Sequence, residues 1–324
     1  MRFSSEEIIS TAQSTGFRPE MVEKVLYLLS LLNTLNSHPY LKGKLILKGG
    51  TAVNLFFLNV PRLSVDIDLN YVGTLDREAM LLDRPKIDQA MQAVFSREGF
   101  NVKRMPDEHA GGKWHLNYQS FTGQSSNIEV DLNFMYRLPL WDVQNLDSCP
   151  LGNFQAKNIP VLDIHELAAG KLSALMSRRQ ARDMFDCQRI LSMTGLIPER
   201  LRIAFVVYGA MNRKDWRTVK IEDVDFDAKD LSRQLIPTLQ FGGMEEKGSV
   251  SVYGTQLVND CRKALSMVLP FTETEIEFLS HLLDKGEILP EHLTTDQALQ
   301  ERIRQQPLLQ WKAMHVRQHK GVPE

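Results

Sequence analysis

Cysteine is scarce in this chain. Cys149, Cys187 and Cys261 are the three in 324 residues, and no two stand at a metal-binding or redox spacing. A disulfide framework is not expected, and the count fits a reducing cytoplasm. No apolar run is long enough to cross a membrane, and the opening MRFSSEEIIS has no apolar signal core, so a cytoplasmic location with no membrane partner is expected. An excess of either charge is also missing. Lys and Arg number 38 against 40 Asp and Glu, so any contact with nucleic acid must come from a local patch and not from the whole molecule's field. HExxH, CxxC and a Ser-His-Asp order are absent, which removes zinc-protease and triad chemistry. The phosphate loop GxxxxGK[ST] is absent too, because Lys48 precedes Gly49-Gly50 instead of following a glycine loop. There is no internal repeat and no low-complexity tract. What remains is a 43% hydrophobic, 24% charged chain, able to build a sizeable core in one large or two ordinary domains.

The stretch Leu45–Tyr71, LILKGGTAVNLFFLNVPRLSVDIDLNY, organises the rest. Leu45, Ile46 and Leu47 form a short apolar strand that stops at Gly49-Gly50, where the backbone can turn tightly and approach a ligand. Thr51 is expected to cap a helix running to about Leu58, and Pro61 closes it. The next strand alternates Val65, Ile67 and Leu69 with Asp66 and Asp68, so the two carboxylates share a face. Such a pair repels itself unless a cation intervenes, commonly Mg²⁺ with phosphate oxygens completing its shell. The free N–H groups of the preceding helix suit the same phosphate. Further on, NIEVDLNF places Ile128, Val130 and Leu132 on one face and Glu129, Asp131 and Asn133 on the other. A third carboxylate on a neighbouring strand would complete a metal site, and strand alternation alone leaves Asp131 and Glu129 both open.

A strand–GG–helix–DxD unit resembles the polymerase-beta-like nucleotidyltransferase superfamily. The fuller pattern LKGGTAVNLF…RLSVDIDL closely resembles one branch, the AbiEii/AbiGii-type toxin nucleotidyltransferases of abortive-infection and type IV toxin–antitoxin systems. GKLSAL…RRQARDMFD resembles that family's second block, a lysine-bearing helix followed by RDxxD. EVDLNF resembles its third strand, which favours Asp131 over Glu129.

The resemblance implies an α/β (α+β) fold. A nucleotidyltransferase domain with N-terminal helices and a small mixed sheet would span 1–160. A mainly helical C-terminal domain would span 161–324, with the active site in the cleft between them. It implies Mg²⁺-dependent transfer of NMP from an NTP to an acceptor, most directly the tRNA 3′ end, with growth arrest countered by a cognate antitoxin protein. Asp66, Asp68 and Asp131 would hold the metal and carry catalysis. Gly49, Gly50, Thr51, Arg62 and Ser64 would line the nucleotide site, the last two from the RxSxD motif. Lys171 would grip the triphosphate, Arg182 and Asp183 would contact the nucleotide, and Asp186 would act in catalysis. Two other outcomes use the same motifs: a nucleotide-binding regulator without transfer, and transfer of NMP to a protein.

Elsewhere, residues 5–37 read as helices. Pro85 is expected to interrupt an amphipathic helix that ends near Gly99, and Gly111-Gly112 to form a hairpin turn flanked by His109 and Lys113, which read first as a plain hairpin tip and second as contacts to a base or an acceptor strand. The Lys171 helix should break near Arg178. Without the resemblance it reads as a solvated helix whose Arg179–Asp183 and Arg182–Asp186 spacings are worth ~0.3–0.5 kcal/mol each. His165 reads as structural. WRTVKIEDVDFDAKDL should be a loop with a short strand. Thr272, Glu275 and Gly286 cap a later helix. At the end Trp311 should pack inward, with Lys312, Arg317, His319 and Lys320 as a basic tail.

Overall fold

The structure is a computed structural model that describes residues 3–104, 110–241 and 248–320, excluding the side chains of Arg104 and Lys320. The chain divides into two compact units. The first comprises Met1–Arg137, Val143–Leu162 and Gln234–Gly248; the second comprises Leu138–Asp142, Asp163–Arg233 and Ser249–Glu324.

In the first unit, α1 (Ser5–Thr15) starts on a reciprocal capping box between Ser4 and Glu7. α2 (Pro19–Ser37) opens on a proline and is buried on most sides. A seven-stranded mixed sheet follows, built from β1 (Leu45–Lys48), β2 (Asp66–Tyr71), β3 (Asn101–Arg104), β4 (Gly111–Gln119), β5 (Ser125–Asn133), β6 (Gln144–Leu146) and β7 (Ile159–Val161), in the order β3-β4-β5-β2-β1-β7-β6. β2 runs antiparallel to β1 and parallel to β5. The expected small mixed sheet is therefore present.

Register sorts the two faces. Trp114, Val130 and Ile67 lie in one row, and Leu132, Leu69 and Leu47 in the next, all fully or nearly fully buried. Aromatic contacts tie this face to helices: Tyr27 of α2 lies 4.6 Å from Tyr118, and Phe95 of α4 (Arg77–Arg97) lies 5.4 Å from Trp114. Each buried Val, Leu or Ile contributes roughly 1.5–3 kcal/mol. A one-residue slip would turn all of them outward, so the register is strongly fixed. The opposite face is thereby forced to carry the charged residues.

Two expectations fail here. α4 runs unbroken through Pro85, because buried Ile87 and Met91 anchor the turns after the proline. Before it, Asp83 accepts hydrogen bonds from Lys44 and Tyr71. Gly111 and Gly112 are not a turn but the first residues of β4. A Cβ on Gly111 would lie 2.0 Å from the Leu132 carbonyl oxygen, so glycine is there for close strand approach.

The second unit is helical: α5 (Ile164–Arg178), α6 (Ala181–Leu191), α7 (Pro198–Ala210), the short α8 (Ala228–Asp230), α9 (Val250–Ala264), α10 (Glu273–Ser280), α11 (Gln297–Arg304) and α12 (Pro307–Lys320). α5 and α6 are separated where expected, by Arg179 in the left-handed conformation (φ 54°). The Thr272–Glu275 capping box forms as read. The stretch from Trp216 to Asp223 makes 3₁₀ turns where a short strand was expected. Among the described residues no helix is long and apolar enough to cross a membrane.

Candidate active site

Gly49 is where the backbone turns from β1 into α3 (Gly49–Ala52), which continues as a π-helical turn, Val53–Phe57. Its φ is +73°, and a Cβ there would lie 1.9 Å from Asp68 Oδ2. Glycine is thus required twice, for the conformation and for the space a carboxylate occupies. The helix begins at Gly49 with Lys48 as its N-cap, so Thr51 is not the cap. Thr51 is fully buried, and its hydroxyl donates to the Asp66 carbonyl, fastening β2 to the turn. Asn54 Nδ2 donates to the Gly50 carbonyl at 2.9 Å.

Pairing then aligns the charged face. Lys113, Asp131, Asp68 and Lys48 form one row across β4, β5, β2 and β1; His115, Glu129 and Asp66 form the next. The two candidate carboxylates differ in what surrounds them. Glu129 is held by Lys113 at 2.7 Å and faces His115 at 3.4 Å. Burial pushes its carboxyl up, but Lys113 pulls it further down, leaving it below the ordinary range. Asp131 is half-buried, and its carboxyl stands above the ordinary range: burial raises it, the Asp68 charge raises it again, and Lys48 and Lys113 offset only part.

Arg62 and Ser64 precede β2 and are buried, at 2% and 7% exposure. Arg62 donates to the Leu63 carbonyl at 2.9 Å, and Leu63 N–H in turn donates to the Thr238 carbonyl. His109 lies outside the described residues.

In the helical unit, Lys171 of α5 contacts Asp183 at 3.1 Å and Asp186 at 2.8 Å on α6. Arg178 Nε contacts the other Asp183 oxygen at 2.7 Å. The two aspartates are almost fully buried and the Lys171 side chain is 11% exposed, so this lysine is not the exposed one its sequence setting suggested. Burial raises the Asp183 carboxyl, and Lys171 with Arg178 more than reverses it, leaving it below the ordinary range. Arg182 is half-buried on α6. Arg179, expected beside Asp183, reaches Asp223 instead.

His165 is structural as read: Asp163 faces its Nδ1 at 2.8 Å, and its Nε2 accepts from the Ile197 N–H at 2.9 Å. The basic tail is not a tail. Lys312 donates to the Ala210 and Asn212 carbonyls, and burial pushes its ammonium down to about 8. Arg317 donates to the Gly286 carbonyl. Trp311 does not pack inward; it is 52% exposed and lies against the His315 ring, centroids 3.9 Å apart and tilted, because Leu309 and Ala313 take the inner side of α12.

Sequence reasoning missed Glu166. It is fully buried and accepts from the N–H groups of Leu140 and Trp141 and from the Tyr208 hydroxyl, while burial pushes its carboxyl up to about 7. A glutamate inside the apolar run HELAAG was the available signal.

Residues 30–323 match the family described as nucleotidyl transferase AbiEii toxin, type IV toxin–antitoxin system. The chain belongs to that family. The fold is similar to MenT4, a nucleotidyltransferase toxin of Mycobacterium tuberculosis, at 19% identity over 94% of this chain and 99% of that one, with a TM-score of 0.65. No curated protein matches. The AbiEii-family chain is thus a nucleotidyltransferase toxin of a toxin–antitoxin system, with a mixed sheet and a helical C-terminal region as expected.

Whether its residues suit Mg²⁺ can be judged from the donor set. Asp66, Asp68 and Asp131 are hard oxygen donors on one face, and the Asp131 carboxyl is raised first by burial and then by the Asp68 charge beside it. Among the described residues no three acidic, imidazole or thiol groups converge as a ready-made cage. Mg²⁺ needs none, because it binds through one or two carboxylates together with substrate phosphates and water. The residues fit the ion.

Proposed function

We propose that this AbiEii-family chain is an Mg²⁺-dependent enzyme that transfers NMP from an NTP to the 3′ end of tRNA. Growth arrest, countered by a cognate antitoxin protein, would follow. The observation that carries this reading is the alignment of Asp68 with Asp131 on adjacent strands, one row from Asp66, around the Gly49 turn.

Asp66, Asp68 and Asp131 are the residues we assign to Mg²⁺. When bound, the ion would neutralise charge on the phosphoryl, attacking and leaving oxygens. Asp131 helps to activate the acceptor hydroxyl by taking its proton. The hydroxyl oxygen bonds to the α-phosphorus, the α–β bridging bond breaks, and pyrophosphate leaves with the electron pair. Gly49 and Gly50 allow the phosphates to approach the backbone, with Ser64 and Arg62 behind them. Thr51 serves by holding β2 in place. Lys171, Arg182, Asp183 and Asp186 are assigned to the nucleotide on the strength of the motif. For Lys171 this requires exchanging an aspartate contact for phosphate, since Asp183 and Asp186 already neutralise it. The tRNA acceptor and the antitoxin rest on the family resemblance.

The test is to incubate the purified protein with each labelled NTP, total tRNA and Mg²⁺. Labelled RNA is expected. Label on protein would mean protein NMPylation, and NTP binding with no labelled product would mean a regulator.

A further inference from the structure

We infer that Lys48 is the lysine of this site that grips the nucleotide's phosphates, an inference that rests on the transfer reading above. Three lysines compete for that task. Lys113 is ion-paired to Glu129 at 2.7 Å. Lys171 is held between Asp183 and Asp186. Lys48 is half-buried, yet among the described residues its ammonium makes no hydrogen bond or ion pair; it lies over the Tyr136 ring, 5.8 Å from the centroid.

Taking an ammonium partly out of water without an anionic partner is unfavourable. An aromatic face compensates for only a part of that. The position of Lys48 says what would supply the rest. It is the register partner of Asp68, and cross-strand neighbours on one face have Cβ atoms roughly 4.5–5.5 Å apart. It lies close enough to Asp131 for its charge to act on that carboxyl, but not in contact. A polyanion drawn to the carboxylates through a cation therefore arrives beside an ammonium with unused donors. Lysine suits the task as a compact point charge with three rotatable N–H groups.

The competing role is a built-in counter-cation for the carboxylates. The two roles give opposite binding results when the charge is removed. A counter-cation's loss leaves NTP binding unchanged or stronger. A phosphate grip's loss weakens NTP binding while binding of Mg²⁺ alone is unchanged or tighter, because a like charge has gone.

The experiment is calorimetric titration of wild type, K48M and K48R with Mg²⁺ alone and then with Mg²⁺ plus a non-hydrolysable NTP, with K48Q replacing K48M if that variant does not fold. The expected result is at least about tenfold weaker NTP binding in K48M, partial recovery in K48R, and no loss of Mg²⁺ affinity. Equal NTP affinity in K48M and wild type, or a loss of Mg²⁺ affinity matching the loss of NTP, overturns the inference. If wild type itself binds no NTP, the transfer reading falls and the assignment of Lys48 falls with it.

Discussion

Both units take aspartates at least partly out of water, but their surroundings act in opposite directions. On the sheet, burial raises the Asp131 carboxyl and the Asp68 charge raises it further. In the helical unit, burial raises Asp183 as well, yet Lys171 and Arg178 bring it below the ordinary range. In the helical cluster Lys171 bridges both carboxylates and Arg178 adds a second cation to Asp183. On the sheet, among the described residues, no lysine closes an ion pair on Asp131, and the cost of its burial is left standing. Burial of a carboxylate is therefore not by itself the mark of a site; a carboxylate whose burial its fixed neighbours leave uncompensated is the better candidate.

Removing Asp66 or Asp68 should produce the largest effect. Asp66→Ala and Asp68→Ala are expected to lose transfer activity on the order of 10³-fold or more, without a lower unfolding midpoint for Asp68→Ala, since its charge opposes that of Asp131. Activity within tenfold of wild type would dissolve the contrast between the clusters. Next comes the complete cluster. Lys171→Met leaves Asp183 and Asp186 buried without their shared cation, and should cost about 3–5 kcal/mol of stability in denaturant unfolding. An unchanged midpoint would show the helical cluster to be as open as the sheet one.

Within the sheet, Asp131→Asn should reduce transfer by on the order of 10²-fold, while Glu129→Gln, already committed to Lys113, should change it only slightly. Reversed outcomes would move the third ligand to Glu129. Glu166 supplies a pH-dependent comparison, because neutral donors and not cations surround it. Its folded pKa is raised from 4.5 to about 7. Its stabilising contribution is therefore full below pH 4.5 and lost as pH rises toward 7, by up to about 1.4 kcal/mol per pH unit. Glu166→Gln should flatten that slope in urea titrations across the window, and a slope identical to wild type would show that another group is responsible. The smallest effect is expected for Lys113→Met. Its side chain is 50% exposed, so stability should change by less than about 1 kcal/mol, as chemical denaturation would read directly.

The contrast was half legible in the sequence. Strand alternation put Asp66 with Asp68, and Glu129 with Asp131, on shared faces, because a period of two is a local property. Choosing between Asp131 and Glu129 on physical grounds needed the register with β4, which brings Lys113 to Glu129 and depends on residues sixteen positions apart. Thr51 was misread for a similar reason: its hydroxyl partner is a carbonyl on β2 that only tertiary pairing supplies. The i,i+4 spacing on α6 suggested pairs along one helix. What it could not suggest is that the turn at Arg179 folds α5 back so that Lys171 meets Asp183 and Asp186 across two helices, while Arg179 itself reaches Asp223. Lys48 drew notice only for being on the wrong side of the glycines. Its significance depends on having no ion-pair partner among the described residues, which no local pattern encodes.

The fit of Gly49 against Asp68 has a practical side. A single methyl group there, Gly49→Ala, would strain the turn and push the carboxylate from its seat while leaving every charged residue in the chain. A toxin silenced by such a steric wedge keeps its ionisable surface. It would be a disarmed bait for a neutralising partner, expressible where the active toxin would not be tolerated.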